Sequence, residues 1–403
     1  MDKKENRLIG GILLVAGTAT GAGMLALPVC TSFGGFLPSI LVFFVCWVLM
    51  LVTSFFFLEV NLAIRGESNL VSMAGKTLGV WGKGVSWFFY LLLLYALLAA
   101  YISGCIPLFQ LAFASVFHIT FPKWFCPFIL PALFGGFVYL GTKGVDYVNR
   151  ILMLGLVVSY ILLIGYCPTF IEIPRLAHVD FSASLLAIPV VITSFGYHII
   201  IPTLTTYMNH DAKRLRKTLL IGSSIPFAIY ILWQWIVLGS VPLTELANAW
   251  KHGFPATEPL SESTSIKWIS LSARFFSFFA IITSFLGVSL SLSDFLTDGL
   301  RIKKSWEGRF LAIGLTFIPP LVFIFTYQKS FYIALEYAGV FVAILLGILP
   351  SLMVLNLKGQ PFHYKRKGRY VAFAAIALSL GVIVINFLEK FNFFQKFIDP
   401  YFQ

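Results

Sequence analysis

Eleven apolar segments make up most of this chain, and each is close to the length that a helix needs to cross a lipid bilayer. About 20 apolar residues, rising about 1.5 Å each, cover the roughly 30 Å of hydrocarbon. The segments, which we number as spans one to eleven, lie near 8–30, 36–62, 85–116, 125–141, 149–171, 183–207, 217–240, 267–297, 309–327, 331–356 and 370–388. Only 11% of the 403 residues are charged, against about 25% in soluble domains. The sequence therefore predicts an all-α polytopic membrane protein.

The lysine and arginine residues predict the orientation of the spans. If the N-terminus is cytoplasmic, 21 of the 29 basic residues fall in cytoplasmic segments and seven in outer segments. Because basic loops are enriched on the cytoplasmic side of a membrane, this split favours a cytoplasmic N-terminus. Eleven spans then place the C-terminus outside. The net charge of +12 lies in these short loops, so we expect membrane lipid, and no nucleic acid, as a partner.

Two of the spans contain stretches that make poor membrane helices. Span one contains GTATGAGMLALP at 17–28, and span six contains TSFGYHIIIP at 193–202. Each glycine costs about 1 kcal/mol of helix propensity relative to alanine. Unpaired backbone groups at mid-membrane cost several kcal/mol more unless they face protein, water or a ligand. The pattern predicts two helices interrupted to line a cavity. The alternative is that these glycines only allow neighbouring helices to pack closely.

The spacing of the two interrupted spans predicts an internal repeat. An offset of five spans divides the chain into 1–171 (spans one to five) and 183–356 (spans six to ten), with 370–388 as an additional span eleven. Because the offset is odd, the two halves run in opposite directions through the membrane. We expect one transmembrane domain over 1–403. Interrupted spans at matching positions of two halves indicate the binding site of a transporter.

These stretches also resemble a known family. GAGMLALP at 21–28, together with SFGYH at 194–198 and the following Ile201-Pro202, is similar to the bacterial hydroxy and aromatic amino acid permeases of the amino acid–polyamine–organocation superfamily. The resemblance covers nearly the whole chain and is greatest to the tyrosine-specific and tryptophan permeases. It implies the leucine-transporter fold, a 5+5 inverted repeat with broken spans one and six plus an eleventh helix. It also implies amino acid symport, usually with protons, across a bacterial inner membrane, which would make the C-terminus periplasmic.

The chemistry of an amino acid suits two broken helices. A helix that restarts near Gly21 presents unpaired N–H groups and a positive dipole end to a carboxylate. Carbonyls exposed in span six can accept hydrogen bonds from the ammonium. The resemblance places Tyr95 and Tyr101 of span three on a wall of the site. We expect a substrate site formed by Thr18, Thr20, Gly21, Ala22, Gly23, Tyr101, Ser194, Phe195, Gly196 and Tyr197. The alternatives are local backbone bonds for the threonine hydroxyls and ordinary packing for the aromatic rings.

The sequence leaves open whether the coupling ion is a proton or sodium. His198 follows the interruption in span six, and the ordinary histidine pKa of about 6.5 suits proton transfer. The alternative is a neutral histidine that holds the unwound segment. In sodium-coupled relatives, hydroxyls of span eight help to bind sodium, which makes Thr283, Ser284 and Ser289 coupling candidates and Thr283 and Ser284 possible sodium ligands. We expect no other metal and no cofactor.

The predicted function is import of an aromatic amino acid, tyrosine first, by proton symport. Tryptophan, or serine and threonine, are the alternative substrates within the family. An enzyme is the alternative of another class, because Asp294 and Asp298 form a DxxxD pattern of the kind that holds magnesium in prenyl transfer. Such enzymes need a second acidic cluster, and the sequence has none. We therefore expect that the protein is not an enzyme.

Overall fold

The computed structural model describes residues 3–64, 68–116, 118, 122, 124–140, 142–264, 266–303, 305–327, 329–357, 367–391 and 393. Its regular structure is helical throughout these ranges. Among the described residues, nine helices are long and apolar enough to cross a membrane, and two shorter apolar helices, Arg7–Ala19 and Cys126–Tyr139, lie at the predicted spans one and four. The prediction of an all-α polytopic membrane protein is confirmed.

Eight of the other nine spans each correspond to one helix that overlaps the predicted span. Their bounds are Phe36–Ala63 (span two), Leu70–Val116 (span three), Cys126–Leu140 (span four), Thr142–Tyr166 (span five), Ala212–Ser240 (span seven), Lys267–Gly299 (span eight), Trp306–Thr326 (span nine) and Lys367–Lys390 (span eleven). Span ten consists of Ser330–Val342, a π-helical turn at Ala343–Ile348, and Leu349–Leu355.

Spans one and six are divided into short helices, as the glycine-rich stretches predict. Span one consists of Lys3–Ala19, the 3₁₀ turn Ala22–Leu25, and Leu27–Thr31. Span six consists of Phe181–Ser184, Leu185–Ala187, Ile188–Ser194, His198–Ile200 and Ile201–Tyr207. Two short 3₁₀ helices, Cys167–Phe170 and Ile173–Ala177, connect span five to span six.

Two segments that lie between the predicted spans are partly helical. The segment 63–84 contains the start of the span-three helix, which begins at Leu70 and bends at Gly79. The segment 241–266 contains the helices Leu243–His252 and Thr257–Ser263, which we call the outer hairpin. A hydropathy window long enough to detect membrane spans misses such elements, because they are short or rich in glycine and charge.

The outer hairpin covers one end of span one. The Ala256 N–H donates to the Leu25 carbonyl at 2.9 Å, and the Trp250 ring packs edge-on against Phe33 at 5.7 Å. Lys329, at the start of span ten, places its ammonium 3.7 Å from the centroid of the Trp250 ring. The charge pattern predicts all of these segments on the outer side, so we call this end of the bundle the outer end. Residues 24–34 of span one are buried beneath it.

The opposite half of span one is less covered. Leu13, Leu14, Gly17 and Thr18 lie on one exposed face of its first helix. At the opposite end of the bundle, which we call the inner end, Arg216 of span seven forms an ion pair with Glu59 of span two at 3.1 Å. The interruption of span one therefore separates a covered outer half from a half with an exposed face.

Candidate functional site

The interruption in span one leaves backbone donors without helical partners. The first helix ends at Ala19, and Gly21 has an extended backbone (φ −142°, ψ −164°). The amides of Gly21 and Gly23 have no backbone acceptor among the described residues. The Ala22 amide donates to the Ser284 hydroxyl of span eight at 3.1 Å. The start of the 3₁₀ turn after the interruption thus presents backbone N–H groups. The Ser284 hydroxyl of span eight accepts a hydrogen bond from one of them.

The interruption in span six leaves a backbone acceptor. Its helix ends at Ser194, and residues 195–197 are unwound. The Gly196 amide donates to the Thr193 carbonyl at 3.1 Å, and the Tyr197 amide donates to the Phe195 carbonyl at 3.1 Å. Among the described residues no backbone amide donates to the Gly196 carbonyl. Span six therefore contributes an acceptor where span one contributes donors.

The two interruptions touch each other. A Cβ added to Gly23 would lie 2.9 Å from the Ser194 hydroxyl oxygen, closer than two such atoms can approach, so any other residue there would force the Ser194 side chain to move. Tyr230 of span seven joins the same two helix ends, because its hydroxyl lies 2.7 Å from the Ala19 carbonyl and 2.9 Å from the Ser194 carbonyl. One hydroxyl hydrogen can be shared between two such acceptors. No local sequence pattern distinguishes Tyr230 from the other tyrosines, of which the chain has 16 in all.

Large rings surround the two interruptions. The buried Phe195 ring packs edge-on against Tyr230, with centroids 5.3 Å apart. The Trp233 indole N–H donates to the Met24 carbonyl at 3.0 Å, and its ring lies 5.4 Å from that of Phe276. These contacts form an apolar wall beside the unpaired backbone groups.

Tyr101 and Tyr95 of span three have different surroundings. The buried Tyr101 side chain lies beside Ser284, whose hydroxyl accepts from the Ala22 amide. The Tyr95 hydroxyl donates instead to the Leu315 carbonyl of span nine at 2.8 Å. Span nine therefore supplies the acceptor of the Tyr95 hydroxyl, and a place for the Tyr95 ring on the wall of the site stays a prediction.

The remaining predicted substrate residues fall in different surroundings. Thr20 has a buried hydroxyl without a partner. Thr18 is exposed, and its hydroxyl donates to the Leu14 carbonyl at 2.7 Å. This is a bond to the backbone of its own helix, which the sequence analysis gave as the alternative to contact with substrate. Tyr197 is buried and donates to the Ser54 hydroxyl of span two at 3.1 Å. Thr20 is the threonine that the structure brings to the interruption.

His198 is fully buried beside span two. Its Nε2 lies 3.0 Å from the Thr53 hydroxyl oxygen, and its Nδ1 is buried without a partner. The Phe57 ring packs edge-on against the imidazole at 6.1 Å. The histidine therefore holds the unwound segment to span two and keeps one nitrogen available.

The three candidate coupling hydroxyls of span eight, Thr283, Ser284 and Ser289, have different surroundings. Thr283 donates to the Phe279 carbonyl of its own helix at 2.8 Å, while the Ser289 hydroxyl is buried without a partner. Ser284 is the member of the three that touches span one. Within the described ranges, no group of three or more His, Cys, Asp or Glu side chains is arranged to hold a metal ion.

A multi-pass helical bundle in which two interrupted spans meet at unpaired backbone groups has the architecture of a membrane transport protein. The comparison with known families agrees. A model of the tryptophan/tyrosine permease family matches residues 4–388, and the chain belongs to that family. The chain is therefore a transport protein and not an enzyme. Asp294 and Asp298 are exposed near the end of the span-eight helix.

Similar proteins cover nearly the whole chain. A tryptophan-specific transport protein of Haemophilus influenzae is 33% identical over 368 residues, covering 88% of both chains. Tyrosine-specific transport system 1 of the same organism is 31% identical over 389 residues, covering 94% of this chain and 96% of the relative. Glutamine transporter 2 of Aliivibrio fischeri is 29% identical and covers 87% of this chain and 89% of the relative.

Proposed function

We propose that this protein imports an aromatic amino acid, with tyrosine as its first substrate, by proton symport. The observation that supports this most directly is the contact between the two helix interruptions. The amides of Gly21 and Gly23 suit the substrate carboxylate, and the Gly196 carbonyl suits its ammonium. Such a site binds a zwitterion without an ionised side chain, which is an advantage where buried charge is costly.

The surroundings of the interruptions support an aromatic side chain. Phe195, Tyr230 and Trp233 are buried large rings around the unpaired backbone groups. Thr20 adds a buried hydroxyl that a polar group of the substrate would satisfy. Relatives named as tryptophan-specific and tyrosine-specific transport proteins agree with this class of substrate.

Substrate choice is tested by competition in proteoliposomes that contain the purified protein. Uptake of labelled tyrosine is measured against an excess of unlabelled tyrosine, tryptophan, phenylalanine, serine, threonine or glutamine. We expect tyrosine to compete best and the other aromatic amino acids next. Stronger competition by tryptophan would assign tryptophan as the substrate. Stronger competition by serine, threonine or glutamine than by every aromatic amino acid would refute aromatic selectivity.

We propose a proton as the coupling ion and His198 as the group that carries it. One charge moved across about 100 mV is worth about 2.3 kcal/mol, enough for roughly 50-fold accumulation at about 1.4 kcal/mol per tenfold. One proton therefore suffices for a nutrient importer. His198 has the unpartnered ring nitrogen that a transferred proton needs. A sodium site would depend instead on Thr283 and Ser284.

Coupling is tested by uptake in sodium-free buffer with an imposed proton gradient. We expect a proton ionophore to abolish accumulation. His198→Ala should lose accumulation but keep exchange of substrate across the membrane, whereas His252→Ala, which changes an exposed histidine of the outer hairpin, should behave as wild type. Full accumulation by His198→Ala would exclude the histidine role. Uptake that requires sodium would exclude proton coupling.

We also propose a cytoplasmic N-terminus and a periplasmic C-terminus in a bacterial inner membrane. The charge split supports this orientation, although several of the basic residues and the segment 394–403 lie outside the described residues. Reporter fusions after Lys217 and after Gln403 provide the test. Cytoplasmic reporter activity at the second fusion would contradict eleven spans.

A further inference from the structure

An open cavity lies at the inner end of the bundle, where the span-three helix bends. Its volume is about 570 Å³, and it is lined by residues from 69–87, at the start of span three, and from 295–299, at the end of span eight. Among these described lining residues, none belongs to the two interruptions. Most of the wall is apolar, while Lys76, Lys83 and Asp298 bring charge to it. The cavity is therefore separate from the proposed transport site.

The bend brings two lysines to the same cavity. Gly79 has φ 73° and ψ −159°, backbone angles that residues with a Cβ rarely adopt. A Cβ added to Gly75 would lie 3.4 Å from the Cβ of Lys83, whereas eight residues of a straight helix rise about 12 Å. The first turns of the helix therefore fold back on the rest, which is why Lys76 and Lys83 line one cavity.

Neighbouring spans fix the walls of the cavity. The side-chain amide of Asn356, at the end of span ten, donates to the Thr77 carbonyl at 2.9 Å. The Trp87 ring of span three packs against Phe295 of span eight, with centroids 5.4 Å apart. The cavity is thus built on the helices of three spans, and a ligand bound in it would contact two of them directly.

The charges on the wall suit an anion. The side chains of Lys76 and Lys83 are exposed, and among the described residues neither ammonium forms an ion pair. Asp298 is the acidic residue of the wall, so two positive charges and one negative charge leave a net charge of +1. A ligand with a net charge of −1 complements this wall, whereas a zwitterion brings no net charge to it.

Apolar side chains next to the bend place the cavity at the membrane surface. Val80 and Trp81 are 87% and 86% exposed, and they precede the apolar run of span three, which begins near residue 85. Tryptophan is favoured at the membrane–water interface, where lysine keeps its ammonium among water and headgroups. The cavity therefore opens at the depth of the lipid headgroups.

We propose that this cavity binds one anionic phospholipid, phosphatidylglycerol. The Lys76 and Lys83 ammonium groups pair with its phosphate, and the hydroxyls of its headgroup donate to the Asp298 carboxylate. The exposed Val80 and Trp81 side chains lie against its acyl chains. Basic pockets beside membrane helices bind anionic headgroups by the same combination of charge and apolar contact.

The first test is native mass spectrometry of the full-length protein, titrated with phosphatidylglycerol, phosphatidylethanolamine or phosphatidylcholine. We expect the first molecule of phosphatidylglycerol to bind at least fivefold more tightly than either zwitterionic lipid. The double variant Lys76→Gln, Lys83→Gln should weaken this binding by about 25-fold, since each lysine near an anionic headgroup contributes about fivefold.

A matched control separates a built site from general attraction between basic residues and anionic lipid. Lys213→Gln, Lys217→Gln removes two exposed lysines from the start of span seven, at the same end of the bundle. This double variant should bind phosphatidylglycerol within about twofold of wild type. Equal binding of the three lipids by the wild type, or equal losses in the two double variants, would overturn the proposal.

A second measurement needs no lysine variant. The protein is placed in phosphatidylcholine vesicles that contain a small fraction of phosphatidylglycerol, and equal amounts of one lipid or the other carry bromine on their acyl chains, which quenches nearby tryptophans. Brominated phosphatidylglycerol should quench the wild type more strongly than brominated phosphatidylcholine. This excess should disappear in Trp81→Phe, Trp87→Phe and persist in Trp268→Phe, which changes an exposed tryptophan at the outer end.

Three results of the quenching experiment would also overturn the proposal. They are the absence of an excess in the wild type, an excess that remains in Trp81→Phe, Trp87→Phe, and displacement of the lipid by inorganic phosphate, which would indicate a simple anion site. Neither measurement uses substrate or a coupling ion, so either result leaves the proposed transport function unaffected.

Discussion

The contact between Gly23 and Ser194 gives the sharpest test of the proposed site. In Gly23→Ala, the new methyl group would lie 2.9 Å from the Ser194 hydroxyl oxygen, which now donates to the Val190 carbonyl at 3.1 Å. If Ser194 turns away, it loses this bond, worth about 1 kcal/mol. An off-rotamer side chain costs about 0.5–1.5 kcal/mol more. A total of about 1.5–2.5 kcal/mol corresponds to a loss of about 12- to 60-fold in initial uptake.

The structure provides both a control and a rescue for this variant. Gly17 lies on the same span, and a Cβ there would meet no atom within 4 Å, so Gly17→Ala should transport within about twofold of wild type. The other nearby Ser194 atoms, its Cα and Cβ, lie 3.7 Å from the added Cβ of Gly23, an ordinary contact. Gly23→Ala combined with Ser194→Ala should therefore recover most of the lost uptake.

The assay is initial uptake of labelled tyrosine into proteoliposomes, normalised to the amount of folded protein. Measuring both single variants and the double variant completes a double-mutant cycle. Normal uptake by Gly23→Ala, or no recovery in the double variant, would refute the contact between the interruptions. Gly21→Leu and Gly23→Leu should abolish uptake without loss of protein from the membrane, because leucine favours a continuous helix and blocks the approach to the amides. Normal uptake by either leucine variant would remove span one from the site.

Three further variants test other contacts. Tyr230→Phe removes the hydroxyl that donates to the carbonyls at two helix ends, and should lower the free energy of unfolding by about 1–3 kcal/mol. Thermal denaturation measures this, and an unchanged Tm would contradict the role of the hydroxyl in joining the two helix ends. Gly35→Ala forces a side chain onto a backbone with φ 86° and against the His178 carbonyl, and should reduce the yield of folded protein; a normal yield would contradict this. Thr53→Val removes the hydroxyl beside His198 Nε2 and should weaken accumulation less than His198→Ala does; a larger loss would contradict the proton assignment to the histidine.

Local composition predicted the spans and their two interruptions, but not the residues that join them. Glycine and threonine at 17–23 disfavour a helix by themselves, so the interruption in span one is visible in the sequence. Tyr230 is part of an uninterrupted apolar helix, and its role depends on which helix ends face it across the bundle. No local pattern carries that information.

The same difference between local composition and packing explains why the segment before span three is helical although its sequence did not predict a span there. Lys76 and Lys83 lower the hydropathy of the segment before span three, yet a helix still forms there because its charged side chains remain exposed. Tyr95 and Tyr101 lie on one helix of span three, but the Tyr95 hydroxyl donates to span nine whereas the Tyr101 side chain lies beside Ser284 of span eight. Which direction a mid-span tyrosine faces is decided by packing that the sequence does not show.

The bond by which the outer hairpin holds span one is made entirely by main-chain atoms, the Ala256 amide and the Leu25 carbonyl. The side chains of the hairpin can therefore diverge during evolution, or be replaced in a mutational scan, without removing this attachment. Proline is the exception, because it has no N–H. Ala256 already has φ −57°, a value that proline adopts. Ala256→Pro would thus delete this hydrogen bond while keeping the backbone angle, which separates its contribution from that of the packing between Trp250 and Phe33.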